Sequence, residues 1–392
     1  MKTARRYLAR EIYRSCAVVV VALIGLFSFF TLVDRLDRVT DDFRLIHLLY
    51  LELLELPTRL YDLLPIGLLI GAILALAGLA QRHELVILRV SGVSALGLLR
   101  TLWWLSLPLV ALAVLVAEVV VPVSEIKLSQ ASLQFLGRAG DGRLASGYWF
   151  KERTAEGERI VNVGTLLANG SVQDITLYEF NHQQHLARLI RAEAGAFVDD
   201  GLALQTAVVN QMRPDLLGAL ADAQPDPTPP VELARHASLT VASSLTPELM
   251  LARVLTPERM AMRDLVTYMR YLNENQLTAD RQVVAIWRKL VYPFTLWVML
   301  AIAAPISLMQ TRRGGVGGKV FLGILAGVTF FMLNQLTLNA GMLYGWTPWL
   351  TALGPNLLIL GLAMAALLLL EYRNGLTLVW QRWWPWQRRQ AP

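Results

Sequence analysis

His182 and His185 are the chain's nearest approach to a metal-ligand pair, since two imidazoles three residues apart can share one divalent ion. No cysteine and no acid pair accompanies them, and the surrounding polar residues read as a solvated turn. The stretch Arg312-Arg313-Gly314-Gly315-Val316-Gly317-Gly318-Lys319 invites a phosphate-loop reading, in which glycine amides and a lysine wrap a nucleotide's phosphates. The pattern fails in detail. Arg313 stands where the first glycine is required, and Val320 follows the lysine where Ser or Thr would hold magnesium. A short basic loop fits better, so no catalytic residue, metal ligand or nucleotide-hydrolysing loop is assigned to this chain. Glu118 is different. It lies near the outer end of an apolar run, where a carboxylate is either functional or reaches the interface, and both readings stay open.

The elements around these residues are six apolar runs in two groups of three: about Cys16–Val33, Leu63–Ala80, Leu102–Val121, Leu290–Met309, Val320–Leu336 and Trp349–Leu370. Each approaches the ~20 residues a helix needs to cross hydrocarbon. Between the groups lies a region of soluble composition, from about Pro122 to Lys289. Hydrophobic residues make up 55% of the chain and charged residues 17%, with a mean hydropathy of +0.45. A soluble domain carries about a quarter charged residues. The predicted fold class is therefore an α-helical membrane protein, three helices plus three, with an inserted β domain. The predicted domains are residues 1–121, 122–277 and 278–392.

The net charge of +6 is explained by its placement and not by nucleic acid. The N-terminal stretch, the second and fourth inter-span loops and the tail together hold fifteen bases against three acids, Glu11, Glu84 and Glu371. The stretch Asp34–Asp62 holds four bases and seven acids, and Asn339–Thr351 is uncharged. The positive-inside bias places both termini in the cytoplasm and the large domain outside it. Asp34-Arg35-Leu36-Asp37 follows the first run where a cleavage site would need small residues, so that run is expected to stay as a helix. Cys16 is the single cysteine, so the outer domain is expected to hold without an intrachain disulfide.

Within the middle region, Ile160–Val163, Val172–Phe180, Leu186–Ala192 and Leu202–Val209 alternate as strands do, with turn signals at Asn169-Gly170 and Asp199-Asp200-Gly201. A sandwich, jelly roll or open barrel is expected. In Val172–Phe180 the larger apolar residues Ile175 and Leu177 are predicted to point inward, and Thr176, Tyr178 and Phe180 outward. Glu179, near the strand's end, serves only as a neighbouring comparison. Gln224–Pro230 reads as a loop, because proline donates no ladder hydrogen bond. Thr256-Pro257-Glu258 predicts the capped start of an amphipathic helix running to about Asn275.

The most specific stretch is QRHELVILRVSG, Gln81–Gly92, between the second and third runs. Leu85, Leu88 and Val86 can share one helical face, with Arg82, Glu84 and Arg89 elsewhere. A short helix lying on the inner surface fits, either as an interfacial anchor or as a docking element for a cytoplasmic partner.

This loop resembles the coupling helix of the LptF/LptG (YjgP/YjgQ) permeases of lipopolysaccharide export, and the layout of spans around an outer β domain is similar over almost the whole chain. The stretches LAQRHELV (Leu79–Val86), LYEFN (Leu177–Asn181), Asp264 through Trp287 to Pro293, and Asn334 to Trp346 lean toward one paralogous branch, while RYLAR (Arg6–Arg10) leans toward the other. The resemblance implies six spans with a periplasmic β-jellyroll in the bacterial inner membrane. It implies an LptF-like permease partner, an LptB-like ATPase dimer that binds the ATP and magnesium, and an LptC-like bitopic protein. This chain would bind no cofactor and would be a permease subunit, not an enzyme. The implied substrate is lipopolysaccharide. On the family pattern Glu84 is the coupling acid, with Arg82, Leu85, Arg89 and Gly92 beside it. Thr31 stands where some relatives carry a lysine that meets substrate phosphates, and Arg35 and Arg38 are expected to replace it. Arg312 matches a basic position at the start of the fifth span.

Two other classes are consistent with the residues alone: a membrane scaffold whose outer domain binds a partner, and a secondary transporter. The second is weakened by the lack of paired broken helices and central ionisable residues.

Overall fold

The structure is a computed structural model, and it describes residues 2–40, 43–84, 87, 90, 94–136, 147–166, 171–198, 201–212, 231–243, 245–246, 249–250, 256–309 and 315–383. The helices are α1 (Lys2–Arg35), α2 (Leu45–Gln81), α3 (Ala95–Leu115), α4 (Val121–Leu136), α5 (Met262–Glu274), α6 (Asp280–Leu308), α7 (Gly315–Tyr344) and α8 (Pro348–Trp383). Six segments are long and apolar enough to cross a membrane: Arg5–Arg35, Leu45–Gln81, Ala95–Ser132, Asp280–Leu308, Val316–Tyr344 and Pro348–Glu371. They contain five of the six predicted runs, overrunning several, and hold the fourth up to Leu308, one residue short of its predicted end at Met309. The third helix is the clearest case. Beyond Leu115 a π-helical turn, Val116–Val120, leads into α4, so the helix continues past the run's predicted end at Val121 to Leu136.

The chain divides into two compact units. One comprises Met1–Asp34, Leu56–Val121 and Asp280–Pro392; the other comprises Arg35–Glu55 and Pro122–Ala279.

The core of the helical unit is a seam of fully buried leucine, isoleucine and alanine, with Leu69, Ile73, Leu76, Leu102, Leu296 and Met299 at its centre. Two glycine pairs let backbones approach closely, as small residues four apart do in membrane helices. A Cβ on Gly71 would lie 2.6 Å from the Cys16 Cα, and one on Gly67 would strike Val20, so this face of α2 has no room against α1. Gly323 and Gly327 of α7 do the same against Ile73 and Leu69 of α2.

In the other unit six strands form one antiparallel sheet: β1 (Tyr148–Thr154), β2 (Gly157–Leu166), β3 (Val172–Asn181), β4 (Leu186–Val198), β5 (Gly201–Met212) and β6 (Val231–Val241). Every neighbouring pair is consecutive in the chain, so the described strands form a meander, without the crossovers of Greek keys. The predicted strands are β2 to β5. The edge strands β1 and β6 were not predicted, because neither alternates cleanly: β1 reads YWFKERT and β6 VELARHASLTV. Charged edge strands resist pairing with other chains. Val198, the last residue of β4, stands opposite Gly201, the first of β5; Asp199 and Asp200 of the predicted turn lie outside the described residues. Gly201 has φ +151°, and a Cβ there would strike the Val241 carbonyl, so glycine is required. Asn169-Gly170 and Gln224–Pro230 lie outside the described residues.

The helix predicted from Thr256 is divided. A 3-10 turn, Pro257–Arg259, is followed by extended backbone at Met260, and α5 starts at Met262. Thr256 makes no side-chain cap. Two tertiary anchors outweigh the local capping signal: Met260 is buried, and Arg259 is drawn 3.2 Å from Glu125 on α4.

Candidate functional site

The sheet's buried face is built by register. Val161, Leu177 and Ile190 stand opposite one another across β2, β3 and β4, and Val163, Ile175 and Ala192 form the next row. Ile175 and Leu177 point inward as predicted and are only 1% and 0% exposed. The interior is thus filled by the protein's own side chains. Glu179 continues the same face, two residues beyond Leu177, and is not an outlying position. It is 7% exposed and belongs to a ladder of alternating charge across four strands: Glu152, Arg159, Glu179 and Arg188 occupy directly opposed register positions. Arg159 Nη2 lies 2.7 Å from Glu179 Oε1, and Arg188 Nε donates to Glu179 Oε2 at 2.6 Å. Arg159 also reaches Glu152 at 3.6 Å and donates to the Ala242 carbonyl, while Ser243 Oγ donates to Glu152 at 2.8 Å. Cross-strand opposition of unlike charges stabilises a sheet, and here it lets three buried charges and the half-exposed Arg188 share one end of an apolar face. The signal was available in the sequence as acids and bases at inward parity. On the other face Lys151 lies 2.9 Å from Glu158, and that hydrogen bond, with one from Gln184, holds the Glu158 carboxyl below the usual carboxylate range. His182 falls in the β3–β4 turn and His185 just before β4, both exposed, as a solvated turn requires.

Arg35 ends α1 and is held as a fork: its Nη1 and Nη2 donate to Glu55 Oε2 and Oε1 at 3.2 and 2.9 Å, with Glu52 3.9 Å away. The predicted phosphate-binding cation therefore already faces two carboxylates of α2. Thr31 donates back to the Phe27 carbonyl at 3.0 Å within α1. Arg38 ends the short 3-10 turn Leu36–Arg38. Arg312 lies outside the described residues.

Near Glu84, Leu85, Arg89 and Gly92 lie outside the described residues. Those that are described show a helical Glu84, Ile87 and Val90 after a turn at His83, whose φ of 59° ends α2. Tyr7 Oη donates to Glu84 Oε1 and Arg82 Nη1 donates to Tyr7 Oη, both at 3.4 Å, so the acid is linked to the first turns of α1. Ile87 and Val90 are 64% and 84% exposed. These two exposed apolar residues, three apart, were not among the predicted contacts.

Glu118 sits in the π-helical turn and accepts a hydrogen bond from Lys289 Nζ of α6 at 2.9 Å. Beside it the rings of Tyr61 and Tyr292 stack at 4.1 Å, with Tyr292 Oη donating to the Tyr61 carbonyl at 2.7 Å. A π turn inserts one residue into the helical ladder and frequently marks a functional position.

Spans one and five are the least covered. Only 17% of the most apolar stretch of each is buried, against 67% of span two. Val21, Phe29 and Phe30 of α1, and Phe321, Met332 and Leu336 of α7, are all at least 60% exposed. Apolar faces of this kind require lipid or another protein chain to cover them.

A model of the family described as "Lipopolysaccharide export system permease LptF/LptG" matches residues 6–370. The lipopolysaccharide export system permease protein LptG of Haemophilus influenzae is 24% identical over 364 residues, which cover 92% of this chain and 96% of that protein. LptG of Escherichia coli K12 is likewise 24% identical, over 354 residues, covering 90% and 94%.

Proposed function

The chain belongs to the LptF/LptG family of lipopolysaccharide export permeases, and we propose that it serves as the LptG-type transmembrane subunit of an ABC exporter that extracts lipopolysaccharide from the inner membrane. The observation that carries the reading is the match over residues 6–370, reinforced by relatives of nearly equal length that bear the LptG name. In this reading the spans are arranged three plus three in the bacterial inner membrane, with both termini cytoplasmic. The six-stranded meander stands in the periplasm, in the place of the jellyroll that the resemblance implies. The positive-inside bias supports that orientation.

An LptF-like permease would complete the cavity, and the uncovered faces of α1 and α7 are suited to line it. An LptB-like ATPase dimer would bind ATP and magnesium and dock on the helix around Glu84, where Ile87 and Val90 offer an apolar contact. Closure of that dimer would move the helix and, through Tyr7, the first turns of α1. The cavity would narrow and the lipid would be driven toward an LptC-like bitopic protein and the periplasmic bridge. Arg35 and Arg38 would receive head-group phosphates, with Glu55 as the carboxylate that a phosphate displaces from Arg35. This chain hydrolyses nothing itself; it is conduit and lever.

The test is purification of the tagged full chain from bacterial membranes in mild detergent. A cytoplasmic ATPase, a second permease and lipopolysaccharide should co-purify, and the complex should release the lipid when ATP is added. A chain that purifies without an ATPase, or a complex that never releases lipid, refutes the reading.

A further inference from the structure

The starts of α2 and the whole of α4 beyond Val121 belong to the unit that carries the sheet. Between them runs a groove of about 800 Å³, within the roughly 300–1,000 Å³ of small-molecule sites. Its two walls differ. Ile46, Leu49 and Leu53 form one wall, spaced three and four apart so that they share a single face of α2, and they are 64%, 43% and 62% exposed. Lys127, Gln130 and Gln134 form the other with the same spacing on α4. The imidazole of His47 stacks on Phe135 at 4.4 Å and bridges the walls. An occupant must therefore be apolar along one flank and rich in acceptors along the other.

The charge pattern is equally selective. These helix segments carry three acids, Glu52, Glu55 and Glu125, and all three are drawn to an arginine: Arg35 holds Glu55 and Glu52, and Arg259 holds Glu125. None of the residues lining the groove is acidic, and Lys127 is the one formal charge among them. It is exposed. Ile46, Leu49 and Leu53 lie within Leu45–Gln81, and Lys127 and Gln130 within Ala95–Ser132, both segments long and apolar enough to cross a membrane, which makes an amphiphile of the bilayer the fitting occupant.

We propose that this groove holds one resident anionic glycerophospholipid, with an acyl chain along Ile46, Leu49 and Leu53 and its phosphate at Lys127, hydrogen-bonded by Gln130 and Gln134. A single cation and a single groove match a lipid with one phosphate and two chains. The multi-chain, multi-phosphate lipid assigned above as cargo would leave most of its surface uncovered here.

The experiment places the full chain in nanodiscs of phosphatidylcholine, with or without phosphatidylglycerol that bears a photoactivatable diazirine in its acyl chain. After irradiation, adducts should map to residues 45–55. Lys127→Gln should lower them about fivefold, and Lys127→Arg should keep them. Ile46→Gln and Leu53→Gln, at exposed positions that folding tolerates, should lower them as well. Equal labelling by a diazirine phosphatidylcholine overturns the proposal, as does labelling indifferent to Lys127→Gln. It is also overturned if a photo-crosslinking residue at Leu49, in cells, captures a protein chain or lipopolysaccharide instead of phospholipid. Export by the Lys127→Gln variant, measured in parallel, tests the transport reading separately, since the groove lies outside the residues assigned to cargo and coupling.

Discussion

Lys289 Nζ and Glu118 Oε1 lie 2.9 Å apart, and the two ends of the pair are unequally covered: the lysine side chain is 4% exposed and the carboxylate 32%. The lysine is the more deeply buried member and depends more on the pairing. Lys289→Met removes the buried charge itself, whereas Glu118→Gln keeps a buried ammonium and takes this carboxylate from it. Glu118→Gln should lower the unfolding midpoint in detergent more than Lys289→Met does, by a margin on the order of 1–2 kcal/mol after allowing for the exposed carboxylate. The double variant should recover part of the loss. Equal costs for the two single variants would mean that the exposed carboxylate carries the pair.

Close helix approach gives a second expectation. A side chain at Gly71 meets backbone at Cys16, which cannot yield as a flexible side chain can. Gly71→Val should destabilise by roughly 1–3 kcal/mol and reduce the yield of folded protein. Gly25→Ala is the open-space control: beyond its own stretch of helix no atom of the described residues lies within 4 Å of the added Cβ, and α1 should gain up to about 1 kcal/mol in helix propensity. If both substitutions cost the same, packing against α1 is not the cause.

The charge ladder should behave as a unit. Arg159 contacts both Glu152 and Glu179, so Arg159→Met takes the shared guanidinium from two buried carboxylates at once, leaving Glu179 to Arg188 and Glu152 to the Ser243 hydroxyl. A loss of about 3 kcal/mol is expected. Glu179→Gln should cost less, because the amide oxygen can still accept from one of the two arginines and no buried carboxylate loses a partner. Thermal unfolding of the two variants gives the order, and an inverted order would show that Arg188 alone secures the strand end.

The docking role proposed for the segment around Glu84 is checked by function. Glu84→Lys puts a base beside Arg82 and breaks the link through Tyr7. ATPase association or export rate should fall while the chain still inserts and folds. Normal transport and normal complex yield in this variant would remove Glu84 from the coupling path.

A photo-crosslinker at Ile175 or Leu177 should capture lipopolysaccharide only while ATP is turned over, because both positions are sealed at rest. Thr176, on the opposite face of β3, is the proper comparison position. Glu179 is not, since it shares the buried face. Capture that ignores ATP would argue against active delivery.

The sequence was most readable where one physical constraint acted alone. Six apolar runs followed from the thickness of hydrocarbon, and the inward parity of Ile175 and Leu177 followed from two-residue alternation. Reading failed where tertiary partners overrode a local signal. β1 looked unlike a strand because Glu152 and Lys151 interrupt its apolar residues, yet Glu152 is the first rung of the ladder. The Thr256 cap was outweighed by the burial of Met260 and the pull of Glu125 on Arg259. At the candidate site, Arg35 was legible as a cation, but its fork with Glu55 was not, since the two are twenty residues apart on different helices.

The filled interior of the sheet has a further consequence. If lipid passes along this face, as proposed above, a face already occupied by its own leucines and valines would admit a guest only by exchange, so entry would be limited by how readily the domain loosens and not by diffusion into open space. Detergents and free fatty acids would meet the same barrier. Throughput and cohesion would then oppose one another: substitutions that tighten the rows around Leu177 should make the domain more heat-resistant and any passage of lipid slower.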